Sequence, residues 1–182
     1  MRHTGTRRLE TERLILRRFV TEDKFDVLNN WASDPLVQHE YGEPVYGDID
    51  AVNSLLMRYI AGYENDDFYR WAIIEKASGM NIGQIAFCRV YSEIAAAEIE
   101  YCISRNFRGR GYAGEALEEV IRYALGAAGF SKLEAYHRAE NIASGRVLAK
   151  SIMQRTGTVE RFMRENKLPD GEACYCVTAD MI

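Results

Sequence analysis

Two short stretches of the chain carry residues whose types and spacing could do chemistry. In "AEIEYCIS", Glu98 and Glu100 stand two positions apart, so on an extended strand their carboxylates share one face with Cys102 while Ile99, Tyr101 and Ile103 take the other. Two neighbouring carboxylates repel, and that repulsion can lift the pKa of one toward the range of a general base. Directly downstream, "RNFRGRGYAGEAL" sets Gly109, Gly111 and Gly114 in the spacing G-x-G-x-x-G, with Arg108 and Arg110 beside them. Glycine permits close backbone approach, and the free amides at a helix start favour an anion, so this stretch is a candidate phosphate loop.

The same letters spell a dinucleotide fingerprint, and Glu134 even lies twenty residues beyond Gly114, where a ribose-binding acid would stand. The context argues against that reading. A first Rossmann strand is covered on both faces and runs almost directly into the glycines. Here the preceding strand carries Glu98 and Glu100, stops near Ser104, and is separated from Gly109 by the polar "RNFR". What local physics leaves is either a loop for some other pyrophosphate or a glycine-rich turn with no ligand.

The remaining reactive side chains are less organised. In "NIAS", Asn141 reads as a helix N-cap with Ser144 in the first turn. His39 sits in the polar, turn-rich "QHEYGEPVYGD", and His137 ends an apolar strand. Cys88, Cys102, Cys174 and Cys176 include a C-x-C but no C-x-x-C, so no metal site is expected and the thiols read as small core hydrophobes.

The elements that must position these residues follow from periodicity. "ERLILRRF" alternates as a strand, and Thr21 is placed to cap a following helix with Phe25, Leu28 and Trp31 on one side, ended by "SDP". A second helix starts near Asp48 with Val52, Leu55, Leu56, Tyr59 and Ile60 as its stripe. "FYRWAIIE" and "IGQIAFCRVY" form a hairpin across "KASGMN", and "AAAEIEYCIS" adds the next strand. Ala116, Leu117, Val120, Ile121, Ala124 and Leu125 mark an amphipathic helix ending at Gly126 or Gly129. "SKLEAYHRA" is the fifth strand, "NIASGRVLAKSIM" a helix, and "TVERFMR" with "EACYCVTADMI" a closing antiparallel pair.

With 182 residues and no linker-like shift in composition, residues 1–182 read as a single α+β domain, residues 1–8 being a flexible N-terminal extension. A net charge of −4 excludes a general basic field for nucleic acid or anionic membranes. No run approaches the roughly 18 apolar residues of a membrane span, so a cytoplasmic protein with no membrane partner is expected.

A family resemblance sharpens the loop. "RGRGYA" meets the pattern Q/R-x-x-G-x-G/A through Arg108, Gly111 and Ala113, which resembles the acetyl-CoA loop of the GCN5-related N-acetyltransferases (GNAT). "AEIEYCISRNFRGRGYAGEAL", "LETERLILRRF" and "AENIASGRVLAK" resemble the branch of that family that acetylates ribosomal-protein N-termini, over about Leu9 to Phe162. The resemblance implies a GNAT fold: a mixed, largely antiparallel central sheet, flanked by helices and splayed between the fourth and fifth predicted strands. It implies acetyl-CoA as cosubstrate, no metal, and direct transfer to a primary amine such as a protein N-terminal α-amine. A small-molecule amine, or acyl-CoA binding without catalysis, are the alternatives.

By the same resemblance Glu98 is the base and Ser144 the acid, since Leu148 stands where many relatives have an acidic tyrosine. Tyr101, Cys102 and Ile103 would flank the pantetheine arm, and Tyr101 or a water could replace Ser144. Backbone amides from Arg108 through Gly109, Arg110, Gly111, Tyr112 and Ala113 to Gly114 would hold the pyrophosphate, with both arginine side chains on its oxygens and Asn141 on the cofactor arm. A nucleophilic Cys102 is disfavoured, because no histidine lies near it in sequence. "KSIM" lacks the relatives' helix-ending glycine, so that helix could run on toward Gly157. The assembly would be a monomer or homodimer.

Overall fold

A computed structural model of the chain describes residues 2–182. The elements run β1 (Leu9–Glu10), β2 (Leu14–Arg17), α1 (Lys24–Val27), α2 (Pro35–Tyr41), α3 (Ile49–Gly62), β3 (Arg70–Glu75), β4 (Asn81–Tyr91) and β5 (Ala96–Ile103). They continue with α4 (Tyr112–Leu125), β6 (Lys132–Arg138), α5 (Ile142–Lys150), β7 (Gln154–Thr156), α6 (Glu160–Arg164) and β8 (Glu172–Thr178). All eight strands join one sheet in the order β1-β2-β3-β4-β5-β6-β8-β7.

Every neighbouring pair is antiparallel except β5 with β6. That parallel pair has three rungs, Ala96 with Lys132, Ala97 with Leu133 and Glu98 with Glu134, and then stops. Beyond Glu98 the two strands part, which is the splay expected between the fourth and fifth predicted strands; the two-residue β1 shifts the count by one.

The sheet buries both faces. On one, Ala116, Leu117, Val120, Ile121 and Ala124 of α4 pack with Leu14, Leu16, Trp71, Ile73, Ile85 and Leu133. On the other, Phe19, Val27, Trp31, Val52 and Leu56 pack against Ala72, Ile74 and Cys102. The alternation read from β5 is therefore real: Ile99 and Ile103 belong to the first cluster and Cys102 to the second. Each buried large side chain contributes roughly 1.5–3 kcal/mol.

Four expectations are corrected. Residues 28–32 continue from α1 as a π-helical turn, and the start of the segment is held by Asp23, which accepts from Val20 N at 2.9 Å, rather than by Thr21. Asp23 is itself gripped by Arg17 at 2.7 and 2.8 Å. "SDP" ends one helix and opens another: Asp34 caps α2, accepting from Leu36 N at 3.0 Å, with Pro35 at the first helical position. The turn-rich stretch around His39 is thus partly helical.

"TVERFMR" is not a strand. Val159 and Phe162, three apart, bury one side of the short helix α6, and β7 takes its place beside β8. Helix α5 stops at Lys150, well before Gly157, because the Ser151 hydroxyl donates to Leu148 O at 2.8 Å and closes the last turn without glycine. The segment from His3 to Arg7 is laid against the core: Thr4 and Gly5 meet the Tyr123 hydroxyl at 2.7 Å, and Trp71 Nε1 donates to Arg7 O at 2.7 Å. Met1 lies outside the described residues.

Candidate active site

The phosphate loop is built where β5 hands over to α4. A 3₁₀ turn over Arg105–Phe107 buries Phe107 and turns the chain, and Gly109 and Gly111 then adopt φ of 77° and 84°. A residue with a Cβ would lose roughly 1–2 kcal/mol at each. The first helix-type bond runs from Glu115 N to Gly111 O at 3.0 Å, so the amides of Tyr112, Ala113 and Gly114 precede it and form the positive end of the α4 dipole.

The loop is braced from the N-terminal strands. Arg13 Nε donates to Glu115 Oε2 at 2.7 Å, its Nη1 donates to Arg110 O at 2.9 Å, and its guanidinium lies 4.6 Å from the centre of the Tyr112 ring. The Tyr112 hydroxyl is turned into the protein and donates to Glu75, which leaves only the backbone of Tyr112 for a ligand.

A cavity of about 440 Å³ opens over this loop, lined by Tyr101, Cys102, Ile103, Arg108, Gly109, Gly111, Tyr112, Ala113, Gly114, Asn141 and Ser144. A Cβ built on Gly109 or Gly114 would meet nothing within 4 Å, so the bare backbone leaves room for a close ligand. Of the residues expected on the cofactor only Arg110 is absent from this wall: its side chain lies 5.2 Å over the Phe107 ring and donates to Asn106 O at 3.0 Å. The Arg108 side chain spans the opening, donating to Ile103 O at 3.2 Å and pairing with Glu40 at 2.7 Å.

A second cavity, about 500 Å³, lies in the splay itself, with Glu98, Glu100, Cys88, Arg89, His137 and Arg161 among its walls. The two cavities share Glu40, Tyr41, Tyr101, Asn141 and Ser144. At that junction the Ser144 and Tyr101 hydroxyls are 3.0 Å apart, and Tyr101 also donates to Ser144 O at 3.3 Å. Asn141 caps α5 as expected, its Oδ1 accepting from Ser144 N at 3.0 Å, so it fixes Ser144 as well as lining the first cavity. Burial raises the Tyr101 phenol well above its ordinary value, which keeps its proton in place.

The two glutamates have separate surroundings. Glu98 is 3% exposed, at the last rung before the strands part. Cys88, the bulged residue of β4 opposite it, donates from Sγ to Oε1 at 3.4 Å, and Oε2 is buried with no hydrogen-bond partner. Burial raises its pKa, and Cys88 and the guanidinium groups of Arg161 and Arg89 offset this only in part. Glu100 is instead an ion-pair partner, accepting from Arg70 at 2.8 Å and from the Tyr41 hydroxyl at 2.6 Å. The Cys102 thiol, pushed up to about 12 by burial, is held as a neutral thiol.

Sequence reading missed Tyr41, Arg70, Cys88, Arg89 and Arg161. None sits at a motif spacing from Glu98, and α6, which carries Arg161, was assigned to a strand. His39 lines neither cavity, whereas His137 lines the second.

Comparison with known proteins agrees with this geometry. The family described as "Acetyltransferase (GNAT) domain" matches residues 13–154. An N-acetyltransferase of Bacillus subtilis, YoaA, described as uncharacterized, is 29% identical over 93% of this chain and 95% of its own length. Among solved structures, a GNAT-family acetyltransferase from Bacillus anthracis superposes with a TM-score of 0.77 at 22% identity, covering 96% of this chain and 99% of that one. A ribosomal-protein-S5-alanine acetyltransferase from Vibrio fischeri gives a TM-score of 0.77 at 15% identity, with 96% and 97% covered. A sheet parted beside a glycine loop and a family match over most of its length carry one conclusion: this chain belongs to the GNAT acetyltransferases, N-acetyltransferases that draw the acetyl group from acetyl-CoA.

Proposed function

We propose that the enzyme transfers acetyl directly to a primary amine, with the cosubstrate in the first cavity and the amine in the second. The observation that carries this reading is the meeting of the two cavities at Tyr101 and Ser144, with a buried carboxylate, Glu98, in the amine-side wall.

The loop from Arg108 to Gly114 supports the pyrophosphate through its amides, and Arg108 can exchange Glu40 for a phosphate oxygen. Arg110 takes part through its backbone. Where β5 has lost its neighbour, Tyr101, Cys102 and Ile103 offer an open edge to an extended pantetheine arm, and Asn141 stands across from it. Acetyl-CoA supplies the activated acetyl group as a thioester. Glu98 Oε2 takes a proton from the amine as the new N–C bond forms; as the C–S bond breaks, the leaving sulfur receives a proton from the Ser144 and Tyr101 hydroxyl pair. A protein N-terminal α-amine is the acceptor favoured by the likeness of residues 97–117 to the ribosomal-protein branch.

Glu98→Gln tests the reading. General-base loss should lower kcat by about 10²- to 10⁴-fold while acetyl-CoA binding, followed by calorimetry, is retained. Unchanged turnover would remove Glu98 as the base. Cys102→Ala should keep turnover, since a thiol held neutral is no nucleophile.

A further inference from the structure

Around the base, two arginines stand close without being hydrogen-bonded to it. Two other acids of the amine-side wall are matched by arginines that do not approach Glu98: Glu40 by Arg108 at 2.7 Å, and Glu100 by Arg70 at 2.8 Å. Glu98 itself is flanked by Arg161, 3.7 Å from Oε1, and Arg89, 3.9 Å from Oε2. Both separations are too long for hydrogen bonds, so neither guanidinium is used up by the base. Both are paired at the surface with half-exposed Glu165: Arg161 Nε donates to its Oε1 at 3.4 Å and Arg89 lies 3.5 Å from the same oxygen, while Arg161 also donates to the Tyr136 hydroxyl. Arg138, exposed at the end of β6, adds a third cation to the same wall, and exposed Glu43 is the one other acid there.

Two guanidinium groups within 4 Å of a buried carboxylate form an unfriendly reception for a bare cation. A polyamine would bring further positive charge to them. An amine with its own anionic group would meet a complementary pair: nitrogen to Glu98, anion to the arginine forks, which suit carboxylates in geometry as well as charge. Because the arginines lie within 4 Å of Glu98, the anion must lie only a few bonds from the reacting nitrogen.

We infer that the acceptor is an amine bearing a carboxylate close to its nitrogen, held by Arg89 and Arg161 with Arg138 at the rim. This rests on the acetyl-transfer reading. Two sources share that chemistry: the α-carboxylate of a free amino acid, and an acidic second residue behind a peptide N-terminus.

The test measures kcat/KM from thiol release with acetyl-CoA and matched acceptors. One arm pairs alanine with alaninamide; the other pairs Ala-Asp-Ala-amide with Ala-Asn-Ala-amide; spermidine is the polycation control. The expected result is a preference of at least about ten-fold for the carboxylate member in one arm, the worth of a single charged contact. Arg138→Met, which touches no reacting atom, should shrink that preference mainly through KM. Equal kcat/KM within both arms, or spermidine as the best acceptor, overturns the inference and leaves acetyl transfer standing. Thiol release that no amine accelerates, with acetyl-CoA bound, removes acetyl transfer and this inference together.

Discussion

Glu98 is kept in surroundings that favour its neutral form, and that has a cost to folding. A carboxyl whose pKa is raised in the folded state adds most to stability below its unfolded value and loses that contribution as pH rises through the folded one. Glu98→Gln should therefore melt higher than the parent at pH 8, with the gap closing toward pH 4, even as its activity falls; a Tm series across that range checks it. Gly114 makes the opposite case. Its Cβ would enter open space, so Gly114→Ala should leave Tm within a degree or two, yet weaken acetyl-CoA binding by filling the floor of the loop cavity. At this scale Glu98, Ser144 and Asn141 were legible because short motifs carry them. Arg70 and Tyr41, which claim Glu100, were not, since they come from segments thirty and more residues away.

Among the elements, the segment from α1 through the π-helical turn hangs on one buried amide. Asn81 accepts from Trp31 Nε1 at 2.7 Å through Oδ1 and from Asn30 at 2.7 Å through its carbonyl, while its own N–H donates to Asp26 at 2.9 Å. Asn81→Ala should cost about 1–3 kcal/mol in chemical denaturation, because the buried indole N–H loses its acceptor. Helix α6 also depends on a contact distant in sequence: Glu134 accepts from Glu160 N at 2.7 Å and so caps it, while pairing with Lys132 at 2.6 Å. This explains why "TVERFMR" misled. Its Val159, Phe162 and Met163 suit a strand, and the carboxylate that starts the helix instead lies twenty-six residues back. The amphipathic α4, by contrast, was legible from its period, and the hairpin of β3 and β4 from two apolar runs joined by the turn residues of "KASGMN".

Across the whole molecule, two carboxylates tie the phosphate loop to the N-terminal strands and titrate together with the fold. The Tyr112 and Ser78 hydroxyls hold Glu75 below the usual carboxylate range. Burial alone would raise Glu115, but the hydroxyl of Thr11 and both the amide and guanidinium of Arg13 bring it down. Groups depressed in this way stabilise above their unfolded pKa, near 4.5, and the contribution is lost as pH falls through the lower folded value. Urea midpoints should thus drop below about pH 4.5, less so in Glu115→Gln, which has already given up part of that contribution. The α+β plan was legible because strand and helix periods alternate along the chain; the anchoring of His3 to Arg7 was not, since it uses backbone groups and scattered tyrosines.

The three-rung seam between β5 and β6 has a mechanical meaning too. It is a crease joining a half-sheet of five strands to one of three, with three backbone rungs as the sheet's own tie across it. A cosubstrate lying in the gap beyond those rungs acts as a brace, so amide exchange along Ile99–Ile103 should slow on acetyl-CoA binding far more than in β3, which has neighbours on both sides.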